Sequence, residues 1–418
     1  ALRRHDFTKK IAMHKDVVIV GGGAAGFFTA ITAKENNPSL KVVILEKGKE
    51  VLQKVKISGG GRCNVTHACF VPKDLCAFYP RGKKELLGPF HQFMTGDTME
   101  WFESRGVPLK IEKDNRVFPT SNSSQSILDC FQKQVDDLGI EVLTNYGVNQ
   151  ILKNEEGWSV QTSKGNFNAN KIVITAGSSK RVWELVRSLQ HSIIQPVPSL
   201  FTFNIKDSRL TDLLGVSVPH ATVRLVGTKL ETTGPLLITH WGLSGPAVLK
   251  LSAFGARLLA EKNYEYQVQV NWVSKSFGQV VQELQKTKKA NTKKQIALRS
   301  PLEAISKRLW ERFVVTVGLD PQSRWADLSN KKIEAIAQHL TNGVFQANGK
   351  STFKEEFVTA GGIDLKEINF KRFESKLHKN LFFAGEVLNI DAVTGGFNFQ
   401  NAWTGGYLIG KALAEESS

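Results

Sequence analysis

The stretch DVVIVGGGAAG, Asp16 to Gly26, decides the fold. Its apolar run, Val17 to Val20, predicts a strand buried within a parallel sheet. Gly21, Gly23 and Gly26 then stand in the spacing G-x-G-x-x-G. Gly21 is expected to make the tight turn, Gly23 to let backbone N–H groups approach a pyrophosphate, and Gly26 to let the next helix lie against the sheet. The following segment, Phe27 to Glu35, is helix-compatible, and its N-terminus would point its partial positive charge at the phosphates. A second apolar run, Val42 to Leu45, ends at Glu46. A carboxylate there accepts hydrogen bonds from the hydroxyls of an adenosine ribose. Strand, glycines, helix, strand and acid fall in the order of a dinucleotide-binding βαβ unit.

Working outward, 418 residues are too many for one simple core and predict two or three domains. With 41% apolar and 22% charged residues the composition is globular, and no apolar run reaches membrane-spanning length. Residues 1–12 precede the βαβ unit, are polar and basic without an apolar core, and read as an appended tail rather than a secretory signal. Cys63, Cys69, Cys76 and Cys130 form no C-x-x-C pair, and no histidine pair has zinc spacing, so no metal site is expected. Few cysteines without a framework suit a reducing, cytoplasmic compartment. A net charge of +16 points to a polyanionic partner.

Beyond Glu46 comes KISGGGRCN, Lys56 to Asn64. Three consecutive glycines disfavour helix and strand and suit a loop lying against a flat ligand or a phosphate, with Lys56 and Arg62 to neutralise charge. Lys171 to Thr175 reads as another buried strand, running into Ala176-Gly177. From about 196 to 274 apolar and polar residues alternate, as in an antiparallel sheet, and this segment contains THWGLSGP, Thr239 to Pro246. His240 reads as a satisfied loop histidine or as a proton donor. Residues 275–332 read as helical and basic, with thirteen Lys and Arg against five Asp and Glu, a net +8. That concentration of charge favours a polyanion-binding face. Phe277, Trp310, Phe313 and Trp325 within it are expected to form the helical core rather than to stack on bases. Residues 333–352 return to the β domain, and 353–418 resume the α/β pattern begun over 13–195.

The two ends of the chain are expected to meet. Leu381 to Ala384 is the strand available to complete the N-terminal sheet, and Gly385-Glu386, Asp391 and a second glycine-opened helix at Gly395-Gly396-Phe397-Asn398 follow it. A second acidic strand end and a second such helix suit a ligand longer than NAD, with N–H groups at a flavin edge. Gly405 to Lys411 nearly matches a P-loop but has Ala412 at the Ser/Thr position, and reads as helix.

VGGGAAG (Val20 to Gly26), KISGGGRCN, THWGLSGP, TAGG (Thr359 to Gly362) and FFAGEVLNIDAVTGGFNFQNAWTGG (Phe382 to Gly406) carry a resemblance. The chain resembles the BaiN-like family of FAD-binding oxidoreductases, also described as aminoacetone-oxidase-type flavoproteins, from about Met13 to its end. The resemblance implies an α/β fold: a glutathione-reductase-type, Rossmann-like FAD domain interrupted by an antiparallel β domain and a small helical insert. It implies FAD contacts at the glycine fingerprint, Glu46, Lys47, Lys56, Ser58, Gly59, Gly60, Gly61, Arg62, Cys63, Asn64, Val148, Ala176, Gly177, Gly385, Glu386, Asp391 and Gly395 to Asn398.

The family spans bile-acid enone reduction, amine oxidation and reduction of a uridine in large-subunit ribosomal RNA to dihydrouridine. The concentrated charge over 275–332 favours the RNA, since a steroid or small amine gives no reason for it. In that scheme NAD(P)H, bound transiently, reduces FAD; flavin N5 delivers hydride to uracil C6, and a side chain protonates C5. Cys63, His240 and Glu386 are the candidate acids, Cys63 being read equally as a small packed residue. A small-molecule oxidase or enone reductase, and a non-catalytic flavin-bound RNA-binding factor, are the alternatives.

Overall fold

The structure is a computed structural model that describes residues 12–352 and 358–415. Of the tail expected over 1–12 only Ala12 is among them, and the expected return at 353 begins with residues 353–357, also outside them. The chain divides into two compact units, one running to Pro196 and resuming at Thr359, the other Val197–Val358.

At the centre of the first unit lies β1 (Met13–Val20), paired in parallel with β2 (Val42–Glu46) on one side and with Asn166–Ile174 on the other. Val17, Val18 and Ile19 are wholly buried, as a central parallel strand covered on both faces requires. Glu141–Thr144 extends the sheet beyond β2. Leu381–Phe383 pairs in parallel with Asn166–Ile174, so a C-terminal strand does complete the sheet begun by the N-terminal one. Gly157–Thr162 pairs antiparallel with both Val148–Asn154 and Asn166–Ile174.

Helix α1 (Ala24–Asn36) packs along the C-terminal helix Phe397–Ala414. A Cβ on Gly406 would lie 3.0 Å from the Ala25 carbonyl oxygen, and one on Gly410 only 2.5 Å from Thr32 Cβ. Glycines one turn apart therefore let two backbones approach closely. This is the physical content of the near P-loop: its glycines lie inside a helix and serve packing. Phe28, Trp101, Phe131 and Trp403 interlock beside this contact.

The second unit is a seven-stranded antiparallel sheet. Its order is Gly343–Asn348, Glu265–Asn271, Ser217–Leu225, Glu231–Thr239, Gly242–Ser244, Thr202–Asn204, Lys350–Ser351. Gly349 joins the two ends of this order. Its carbonyl accepts from the Asn204 N–H at 3.2 Å and its N–H donates to the Tyr264 carbonyl at 2.8 Å, which closes the sheet on itself. From Pro246 onward the chain is helical and breaks at Gly255 into Pro246–Phe254 and Ala256–Glu261.

The helical segment runs past the expected boundary at 332, through Asn330–Asn342 and directly into the strand Gly343–Asn348. It has no core of its own. Val280, Trp310, Phe313 and Ile336 belong to one buried cluster with Val223 and Val268 of the sheet. Trp310, Phe313 and Trp325 are inside, whereas Phe277 stays 38% exposed. Among the described residues no helix is long and apolar enough to cross a membrane.

Candidate FAD site

The three fingerprint glycines are required for three different reasons. Gly21 has φ +114°, and a Cβ there would sit 2.7 Å from the Thr175 carbonyl group. On Gly26 it would lie 2.2 Å from the Gly21 carbonyl oxygen, so α1 could not begin where it does. Gly23 is the opposite case: nothing lies within 4 Å of its Cβ position. It caps α1 without any side-chain hydrogen bond, leaving an open helix start. Ala24 and Ala25 form the first turn, and a Cβ on Gly385 would come 3.6 Å from Ala25 Cβ, which brings the C-terminal motif to the fingerprint.

Glu46 ends β2 with its carboxylate held in place: Oε2 accepts from the Gly22 N–H at 2.9 Å and Oε1 from the Gly48 N–H at 2.7 Å. Each oxygen keeps a second lone pair for a ribose hydroxyl. Lys47 is exposed next to Gly147, one residue before the buried Val148.

Helix α2 (Gln53–Gly61) carries the second motif and is not helical throughout. Ser58 is extended, and Gly59 and Gly60 are left-handed, at φ +57° and +68°, followed by Gly61 at +82°. The loop expected here is thus a tight glycine turn fused to a short helix. Gly60 and Gly61 face open space, while Gly59 abuts Asn64 and Phe118. Ser124, which sequence reasoning missed, clamps the turn: its N–H donates to the Gly61 carbonyl at 2.8 Å and its Oγ to the Lys56 carbonyl at 2.7 Å.

Several motif side chains are committed to the protein itself. Arg62 donates to Glu112 at 2.7 Å, with its guanidinium carbon 3.9 Å from the Phe118 ring centroid. Lys56 lies 3.5 Å from Glu50. Asp391 is wholly buried, and both its oxygens accept from the Arg81 guanidinium. This fastens the loop before the C-terminal helix to the 78–82 segment. The expected charge neutralisation by Arg62 and FAD contact by Asp391 therefore meet groups already engaged by long-range partners.

Cys63 is left-handed, at φ +58°, and has no exposed surface. Burial pushes its thiol up to about 12, against a smaller lowering by the Ser58 hydrogen bond. As a proton donor to substrate it fails on access, and its place is that of the small packed residue. Glu386 is bound to Lys54 at 2.5 Å, and a Cβ on Gly177 would lie 3.8 Å from Glu386 Oε2. Ala176-Gly177, Gly385-Glu386 and α2 thus converge on one spot. His240 lies in the second unit, exposed at the turn between Glu231–Thr239 and Gly242–Ser244.

The C-terminal motif is anchored by buried polar contacts that sequence spacing did not reveal. The Thr66 and Thr98 hydroxyls donate to Gln400 Oε1 at 2.6 and 3.0 Å, and the Gln400 amide donates to Thr404 Oγ1 at 3.1 Å. The Tyr79 hydroxyl donates to the Phe397 carbonyl at 2.5 Å. Gly396, at φ +94°, begins the last helix, again without a side-chain cap. Asn398 Oδ1 accepts from the Ala392 N–H at 3.0 Å, and Gly395 offers its carbonyl to His67 Nδ1 at 3.2 Å.

The residues present fit FAD. Gly23, Gly60 and Gly61 leave side-chain space empty, and two helix starts are uncapped. Buried Asn64 Oδ1, in the second motif, and both amide atoms of buried Asn401, in the last helix, have no partner among the described residues and are free to meet a ligand.

Comparison with known proteins agrees. The chain is 27% identical over 95% of its length, and 98% of the relative, to the 3-dehydro-bile acid delta(4,6)-reductase of Clostridium scindens. It is 25% identical over 97% of its length, and all of the relative, to the ribosomal RNA dihydrouridine synthase of Haemophilus influenzae. Among solved structures, the 3-ketosteroid-delta4-(5alpha)-dehydrogenase of Rhodococcus jostii RHA1 shares the fold, with a TM-score of 0.51 at 12% identity, covering 98% of this chain and 99% of that one. The model described as the HI0933-like protein Rossmann domain matches residues 15–412. An α/β Rossmann-like core that keeps empty space along its glycine turns, and matches that model almost end to end, makes this chain a member of the HI0933-like family of FAD-dependent oxidoreductases.

Proposed function

We propose that this enzyme reduces a uridine of large-subunit ribosomal RNA to dihydrouridine, with NAD(P)H as a transiently bound electron donor and a cytoplasmic site of action. The observation that carries the reading is the net +8 over 275–332. Lys286, Lys289, Lys293, Lys294 and Arg299 there are exposed and form no ion pair among the described residues. Such a surface supports phosphate binding and offers nothing to a neutral small molecule. A full-length relative that is an rRNA dihydrouridine synthase supports the same substrate.

FAD, when bound, supplies the hydride chemistry. The chain holds it through the Gly21–Gly26 turn, Glu46, the Ser58–Asn64 turn, Ala176-Gly177, Gly385-Glu386 and the start of the last helix. Saturating the uracil C5=C6 bond takes a hydride at C6 and a proton at C5. Of the three candidate acids, Cys63 is sealed in and Glu386 is bound to Lys54, while the His240 imidazole is exposed.

The bile-acid reductase relative favours a second reading, reduction of a small conjugated enone. The chemistry is shared, since both substrates present a C=C bond conjugated to a carbonyl. Mass analysis of ribosomal RNA from cells lacking the gene, and from cells with it restored, separates the two. Loss of one uridine of +2 Da, regained with the wild-type gene, supports the rRNA reading, and an unchanged RNA profile refutes it. A protein that binds RNA but turns over with no electron donor would instead be a non-catalytic factor.

A further inference from the structure

The turn that holds His240 carries a second unusual residue. Trp241 is 54% exposed, although its backbone is pinned on both sides. Its N–H donates to Thr239 Oγ1 at 3.2 Å, and its carbonyl accepts from the Ile205 N–H at 2.8 Å. The next residue, Gly242, has φ +138° and is pressed against Phe203, where a Cβ would lie 2.4 Å from the carbonyl oxygen. A large indole is therefore presented to solvent from a backbone that cannot readily move. A core-forming tryptophan would be packed, and Trp272 and Trp310 of the same unit are wholly buried.

Exposed cations stand on the loop and helix tied to this turn, interspersed with the acids Asp207 and Asp212, which pair with Arg209 and Arg312. Lys206, directly after Ile205, is exposed. The loop onward from there is tied to the same end of the sheet, since the Gly215 N–H donates to the Ile238 carbonyl at 3.0 Å. On its other side the loop is tied to the helix Lys307–Thr316. Arg312 donates to the Ser208 and Thr211 carbonyls at 3.1 and 2.8 Å, and Arg308 donates to the Asp212 carbonyl. Lys307 and Arg308 are exposed on that helix. One hydrogen-bonded loop thus links an exposed indole and imidazole to exposed cations.

We propose that this ridge binds an unpaired segment of RNA, with a base stacked on Trp241 and neighbouring phosphates on Lys206, Lys307 and Arg308. The inference rests on the rRNA reading and deepens it: the RNA would be recognised where its bases are splayed out, not as duplex. Stacking on an aromatic face needs no base-specific hydrogen bonds, and the cations follow the backbone.

The test is binding of a short, fluorescently labelled single-stranded oligouridine to the FAD-loaded full chain. Trp241→Ala should weaken binding about tenfold, the loss of one base stacked on an aromatic ring. Trp241→Phe should keep most of the affinity. Lys206→Ala combined with Lys307→Ala should make log K fall less steeply with log salt, by about 1.4 for two phosphate contacts on a single strand. Phe70→Ala, removing an exposed aromatic of the first unit, is the control and should change nothing. Flavin content and melting temperature report that each variant is folded. Equal binding by Trp241→Ala and the wild type overturns the platform, as does a preference for duplex over single strand. If the wild type still restores the +2 Da uridine in cells, only the platform has failed; if it does not, the rRNA reading has failed first.

Discussion

The two units place their chemistry in opposite ways. In the first, the residues that the motifs single out are walled in: Gly21 and Gly26 against backbone, Asp391 against Arg81, Cys63 with no surface, Gln400 among hydroxyls. In the second, the distinguishing residues are outside: Lys286, Lys289, Lys293, Lys294, Arg299, His240 and Trp241. A cofactor shared by a family can be held by shape, which demands a rigid, filled surround with a few places left empty. A large charged substrate is met by exposed cations, which the fold can carry without repacking. The difference teaches that buried motif residues speak for the flavin and exposed side chains speak for the substrate.

The strongest way to break this contrast is at the buried ion pair. Arg81→Ala leaves the Asp391 carboxylate buried without its partner and should destabilise the protein by about 3–5 kcal/mol. Denaturant unfolding measures it, and a loss below 1 kcal/mol, the range of exposed surface pairs, would show the loop is not held this way. Next come the fingerprint glycines, which the structure separates. Gly26→Ala forces a Cβ onto a carbonyl oxygen and should cost about 3 kcal/mol together with the bound flavin. Gly23→Trp projects into open space and should leave the melting temperature of the flavin-free protein unchanged while abolishing the 450 nm flavin absorbance. If Gly23→Trp unfolded the chain as Gly26→Ala does, the empty space at Gly23 would not be a ligand space.

A smaller effect is expected in the second unit. Changing Lys286, Lys289, Lys293 and Lys294 together to Ala should weaken RNA binding and flatten its salt dependence, with flavin content unaltered. Unchanged binding would remove the basic segment from the account. The smallest effect is predicted for Cys63→Ala. Its thiol stays protonated to about pH 12 and has no access to solvent, so turnover should change less than twofold and iodoacetamide should not label it in the native protein. A drop of about 100-fold or more, the size expected on losing a general acid, would return Cys63 to the chemistry.

Much of the fold was legible because parallel sheets, glycine turns and buried helices leave local signatures. Val17 to Val20, the glycine spacing, Glu46 and the closing strand Leu381–Phe383 all stand where pattern alone placed them. What escaped is what depends on distant partners. No local signal tells Arg62 to choose Glu112, or Asp391 to choose Arg81, across fifty and three hundred residues of chain. Ser124 is an ordinary serine until the glycine turn is folded onto it. The boundary at 332 failed because the last helix of the insert, Asn330–Asn342, feeds the sheet without a break, and one core serves both.

The central claim is that a flavin held in the first unit reduces a base of ribosomal RNA. The direct measurement incubates the FAD-loaded protein with NAD(P)H and transcribed large-subunit rRNA, without oxygen, and weighs the RNA fragments. The account predicts a gain of 2 Da at a single uridine with the wild type and none with Gly23→Trp. Flavin bleached by NAD(P)H and re-oxidised by a conjugated enone, with every RNA fragment unchanged in mass, would contradict it.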